Sequence, residues 1–107
     1  MNILLIEDDD SVRDLIHYTI EAKFKADIKM ASSYEEAIEL LDKIKIDLII
    51  CDYFIGDKTG GDVYKYLLDN ERYIPFALCS SVDPDEYNDF NDRSYFIGNI
   101  TKPFIFD

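Results

Sequence analysis

The sequence predicts an α/β fold in which parallel strands form one open sheet with helices on both faces. Three observations carry this. Short, continuous apolar runs (NILLI, IDLIIC, IPFALC) read as strands covered on both sides. Between them lie longer segments whose apolar residues recur at helical spacing. The two kinds alternate along the chain at intervals that imply parallel strands joined by right-handed crossovers.

The elements follow in order. NILLI, residues 2–6, is the first strand, and Asp10 or Ser11 is placed to cap a helix over SVRDLIHYTIEAKF. In that helix Val12, Leu15, Ile16 and Thr19 form the expected buried stripe. DIKMA is a second, weaker strand. Ser33 and Glu36 fit a capping box for the helix YEEAIELLDKI, whose stripe is Ala37, Leu40, Leu41 and Ile44. IDLIIC is the most convincing buried strand. DYFIGDKTGG reads as a loop ending in two glycines, followed by a helix over DVYKYLLDN. IPFALC is a fourth strand, its proline tolerated at the first position, and YFIGNI a fifth. Proline, asparagine and aspartate dominate SSVDPDEYNDFNDRS, so only a short or frayed helix is expected there. No repeat or linker interrupts the pattern, and residues 1–107 read as one domain.

Composition narrows the function. A formal net charge of −12 argues against nucleic acid as a direct partner, since phosphate binding needs a basic face. It is compatible with cations and basic partners. No apolar stretch approaches membrane-spanning length and no signal-like segment opens the chain, so a cytoplasmic protein without membrane contact is expected. Cys51 and Cys79 each end an apolar run and read as reduced packing residues. His17 lies off its helix's apolar stripe and reads as a surface residue.

The first strand runs directly into Glu7, Asp8, Asp9 and Asp10. Crowded carboxylates resist ionising together unless water, donors or a cation compensate. The run is therefore either a solvated helix cap or half of a cation site. Chemistry in an open parallel sheet gathers beyond the carboxyl ends of the strands. Glu7 and Asp8 follow the first strand, Asp52 the third, Ser80 the fourth and Lys102 the fifth. If strands one and three are neighbours, Asp8 and Asp52 meet across one crevice. Oxygen ligands of this kind suit Mg²⁺, and acids, a hydroxyl and an ammonium together suit a phosphoryl group.

At these residues the chain resembles the receiver domain of two-component response regulators, through ILLIEDD, DLIICDY with its downstream TGG, PFALCSS and TKPF. The resemblance implies a flavodoxin-like sheet of strand order 2-1-3-4-5. It implies that Asp52 is the phosphoacceptor, receiving its phosphoryl group from a histidine kinase or phosphotransfer protein. Glu7, Asp8, Asp52 and the backbone carbonyl of Phe54 would hold Mg²⁺. Ser80 would hydrogen-bond the phosphoryl oxygens, Lys102 would pair with Asp52 and then with the phosphate, and Lys102–Pro103 would be cis. Small Ser81 would border the donor's entry path, and apolar Phe54 and Val82 would slow loss of the phosphate. Output would pass through contacts with a downstream protein, and the domain would act as an enzyme only on its own phosphorylation and dephosphorylation.

The resemblance has departures. Gly56 stands where the family carries a proline, which predicts a looser loop. Asn99 stands where the family has an aromatic ring that turns inward on activation, which puts the usual switch in question. The chain reaches KPFIFD where a last helix is expected to begin. Phe104, Ile105 and Phe106 then need cover, and self-association along the exposed side of the fifth strand is expected. Two other functional classes compete with this one. A phosphorylation-independent interaction module is the alternative suggested by Asn99. A phosphohydrolase of the haloacid dehalogenase type would carry a second aspartate at position 54, where this chain has Phe54.

Overall fold

The computed structural model describes residues 1–80, 86 and 88–101. Five strands, β1 (Asn2–Ile6), β2 (Asp27–Ala31), β3 (Leu48–Asp52), β4 (Phe76–Ser80) and β5 (Phe96–Thr101), form one parallel sheet in the order β2-β1-β3-β4-β5. Three helices, α1 (Asp10–Lys23), α2 (Tyr34–Lys43) and α3 (Gly60–Asp69), make the crossovers. This is the expected fold and strand order.

Alternation along the strands builds two cores. Leu4, Ile6, Ile49, Cys51 and Leu78 face α2 and α3, where Ala37, Leu41, Val63, Tyr64 and Leu67 meet them. Ile3, Leu5, Ile50, Ala77 and Cys79 face α1 and its Ile16 and Ile20. Cys51 and Cys79 are buried free thiols that belong to opposite faces. The α1 face is left partly open. A groove of about 270 Å³ runs between Ile20, Phe24, Leu48, Ile97 and Ile100.

Local chemistry adjusts several expectations. Helix α1 is capped by Asp9, whose side chain accepts from the Val12 N–H at 3.0 Å, one residue earlier than expected. Its buried line is Ile16 and Ile20 with Val12 half-buried, four residues apart. Leu15 is therefore rotated outward and is 55% exposed, contrary to the expected stripe. Ser33 caps α2 through the Glu36 N–H as expected, but the Glu36 carboxylate bonds Ser32 rather than closing the box on Ser33. Strand β3 begins at Leu48, two residues later than the apolar run suggests.

The loop after β3 is more ordered than its composition implied. Phe54–Ile55 and Lys58–Thr59 form a small antiparallel ladder around Gly56 and Asp57. Gly56 has φ +77° while Asp57 keeps a negative φ, the pattern of a type II′ hairpin turn. Glycine here makes the turn possible, rather than loosening the loop. Gly60 and Gly61 are not loop residues either. They form the first turn of α3, capped by a reciprocal Thr59–Asp62 box. Between β4 and β5 the described residues include a short 3₁₀ turn, Asn88–Phe90, which agrees with the short or frayed helix expected there.

Candidate functional site

The sheet topology brings the acids together. Strands β1 and β3 are adjacent, with Ile6 paired to Cys51, so the residues that follow them sit side by side at the carboxyl edge. One carboxylate oxygen from each of Glu7, Asp8 and Asp52 lies within 4.8 Å of the other two. Glu7 and Asp52 are buried, at 2% and 9% exposure, and Asp8 is exposed. Two buried like charges at that spacing repel by roughly 3–4 kcal/mol at an effective dielectric of about 20. Backbone donors offset part of this. The Asp9 N–H reaches Glu7 Oε1 at 3.2 Å, and the Tyr53 N–H reaches Asp52 Oδ1 at 2.8 Å.

The donor set is all oxygen, two of its members fixed by burial and one facing solvent. That suits a hard divalent cation that keeps several of its own waters, as Mg²⁺ does. Arg13, three residues into α1, bonds the Glu7 carbonyl at 3.0 Å and the Asp10 carboxylate at 2.5 Å. It ties the acidic loop to the helix without joining the three clustered carboxylates.

Ser80 ends β4, two strands from Glu7, and is 4% exposed. On β5, Asn99 lies opposite Leu78. Its amide donates to the Ser80 carbonyl at 3.5 Å, while its own Oδ1 is buried without a hydrogen-bond partner. At the mouth, Phe54 is 62% exposed and stands edge-on to Tyr53 at 4.9 Å. Ser81, Val82, Lys102, Pro103, Phe104, Ile105 and Phe106 lie outside the described residues.

Sequence comparison decides the family. The profile of the response regulator receiver domain matches residues 3–107. The chain belongs to that family. Receiver domains are signalling modules whose general role is to accept a phosphoryl group in two-component systems. They work with histidine kinases and downstream effectors, and bind Mg²⁺ through an acidic pocket. Among characterised relatives, the receiver sequence is 30% identical over 106 residues to the transcriptional regulatory protein YvrH of Bacillus subtilis. That match spans 96% of this chain and 43% of YvrH. It is 24% identical over 102 residues to the chemotaxis protein CheY of Halobacterium salinarum, spanning 95% of this chain and 84% of CheY. In three dimensions it is similar to CheY4 of Vibrio cholerae, with a TM-score of 0.83, 22% identity, and coverage of 96% of this chain and 87% of that one. The receiver chain thus spans less than half the length of YvrH, and only 17% of PilR of Pseudomonas aeruginosa, to which it is 28% identical. Among the described residues no helix is long and apolar enough to cross a membrane.

Two residues at this edge escaped the reading of the sequence. Arg13 pairs with Asp10 three residues before it, an i,i+3 signal visible in principle. Asp89, which accepts a hydrogen bond from the Tyr53 hydroxyl at 2.6 Å, left no signal, because its partner is 36 residues away.

Proposed function

We propose that this receiver takes a phosphoryl group on Asp52, with Glu7, Asp8 and the Phe54 carbonyl completing a Mg²⁺ site. The observation that carries the reading is the convergence of Glu7, Asp8 and Asp52 at one sheet edge. An Asp52 oxygen attacks the phosphorus of a donor phosphohistidine. The new P–O bond forms as the P–N bond breaks, and the electron pair leaves with the imidazole. Bound Mg²⁺ would supply positive charge to the phosphoryl oxygens. Ser80 donates a hydrogen bond to the same oxygens and Lys102 neutralises charge beside them. Exposed, apolar Phe54 offers no group to orient water, so the acyl phosphate hydrolyses slowly.

Incubation with Mg²⁺ and acetyl phosphate, followed by intact-protein mass spectrometry, tests this. One phosphoryl group on the wild type and none on Asp52→Asn is expected. No adduct on the wild type, with Mg²⁺ binding established separately, overturns it.

A second reading rests on Asn99, whose half-satisfied amide occupies the position of the family's switching ring. In that reading the domain is an interaction module that signals without phosphorylation. Partner affinity that is the same for phosphorylated and unmodified protein would select it. In either case the acidic domain works without direct contact to nucleic acid, in the cytoplasm, through a downstream protein. The outer side of edge strand β5, where Ile97 is 61% exposed, is offered for pairing with a second copy. Sedimentation that is monomeric at all concentrations would exclude that pairing.

A further inference from the structure

We propose that Tyr53 is a positioning residue through which the phosphorylation state of Asp52 reaches the connection between β4 and β5. This rests on Asp52 being the phosphoacceptor. Tyr53 holds both ends of the link. Its backbone N–H donates to Asp52 Oδ1 at 2.8 Å, and its carbonyl accepts from the Gly60 N–H at 2.6 Å. Its hydroxyl donates to Asp89 Oδ2 at 2.6 Å, in the 3₁₀ turn. One residue therefore touches the Asp52 carboxylate, the first turn of α3 and the β4–β5 connection.

The far end of the link leads into the core. Asp89 is exposed, but Phe90 beside it is fully buried against Tyr64 at 5.3 Å and Phe96 of β5 at 4.9 Å. Gly61 makes room for the contact, since a Cβ there would stand 2.3 Å from Asp89 Cγ. The absent side chain lets the Asp89 carboxylate lie against the first turn of α3, within reach of Tyr53. When Asp52 becomes an acyl phosphate, negative charge leaves the carboxylate for the phosphoryl oxygens. The acceptor of the Tyr53 N–H weakens, Tyr53 shifts, and its hydroxyl carries Asp89 and Phe90 with it. Asn99 cannot reproduce a ring that swings, so this route does not depend on that position.

The test is hydrogen exchange of residues 88–93 in the full chain with Mg²⁺, before and after acetyl phosphate. Variants are compared at equal phosphorylated fractions read by mass. In the wild type, phosphorylation should change exchange there about tenfold, the scale of one charge-assisted hydrogen bond. Tyr53→Phe keeps the ring and loses the hydroxyl, and should lose the response. Gly61→Ala displaces Asp89 without touching Tyr53, and should lose it too. Asp89→Asn keeps an acceptor oxygen and should retain it. A full response in phosphorylated Tyr53→Phe or Gly61→Ala overturns the link, as does a phosphorylated wild type with unchanged exchange. A wild type that gains no phosphoryl group overturns the Asp52 reading and this one together.

Discussion

Gly60 packs against the backbone of Asp52 so closely that a Cβ would stand 2.7 Å from the Asp52 carbonyl oxygen and 3.2 Å from Leu78 Cδ1. The obstacle is main chain in a central strand and cannot step aside. Gly60→Ala should therefore lower stability by about 1–3 kcal/mol, the scale of overpacking. Gly61→Ala meets the movable side chain of Asp89 and should cost less. Urea midpoints at constant slope would show the ranking, and equal midpoints would contradict it.

Three acids within 4.8 Å make the cation-free protein pay an electrostatic penalty that bound Mg²⁺ relieves. Thermal melts should therefore diverge in an unusual way. In EDTA, Asp8→Asn should melt above wild type. With Mg²⁺ the wild type should rise and the variant should not. Asp9→Asn preserves the helix cap and lies outside the cluster, so it should keep the Mg²⁺ response. A Mg²⁺ response in Asp8→Asn equal to that of wild type would remove Asp8 from the site.

The buried, unpartnered Oδ1 of Asn99 is a standing cost. Asn99→Leu should raise stability by about 1–2 kcal/mol, since an unsatisfied buried acceptor is worth about that much. Denaturant titration would measure it. A loss of stability would mean that the 3.5 Å bond to the Ser80 carbonyl outweighs the orphaned oxygen.

Burial, and after it the negative charges of Asp52 and Glu7, push the Cys51 thiol well above its ordinary 9.0. The unfolded chain ionises this thiol near 9.0 while the native state keeps its proton. The resulting stability is whole below pH 9 and falls as pH rises beyond it. Burial also raises Tyr64 from 10.0, which extends the decline in the same direction. Stability measured against pH should fall less steeply above pH 9 in Cys51→Ala, and native protein at neutral pH should resist alkylation at Cys51.

Much of this was legible in the residues. Apolar runs placed the first, third and fourth strands, the mixed stretches DIKMA and YFIGNI read as the second and fifth, and the two halves of the acidic cluster stood at the ends of the first and third. Strand order came from the family likeness, because no periodicity says which strands are neighbours. Local signals failed where a distant contact decided the outcome. Leu15 fits a helical stripe, yet the sheet meets the Ile16–Ile20 line instead. Gly60 and Gly61 read as loop residues, but Thr59 and Asp62 close a capping box around them. Gly56 looked like slack and proved to be the positive-φ corner of a hairpin.

Strand β5 carries one further consequence. Phe96 and Ile100 are four residues apart and in a regular strand would share a face. Here Phe96 packs with the α3 side and Ile100 with the α1 side, because the register slips between Phe96 and Gly98 and Gly98 takes φ +145°. The slip works as a joint in the strand. Upstream of it, side chains answer to the aromatic cluster around Phe76 and Phe90. Downstream, Asn99 and Ile100 answer to the end of the neighbouring strand, at the Ser80 carbonyl and Cys79. Substitutions that repack the aromatic end can therefore accumulate without turning the functional end inside out, and the two halves of one strand can evolve as separate parts.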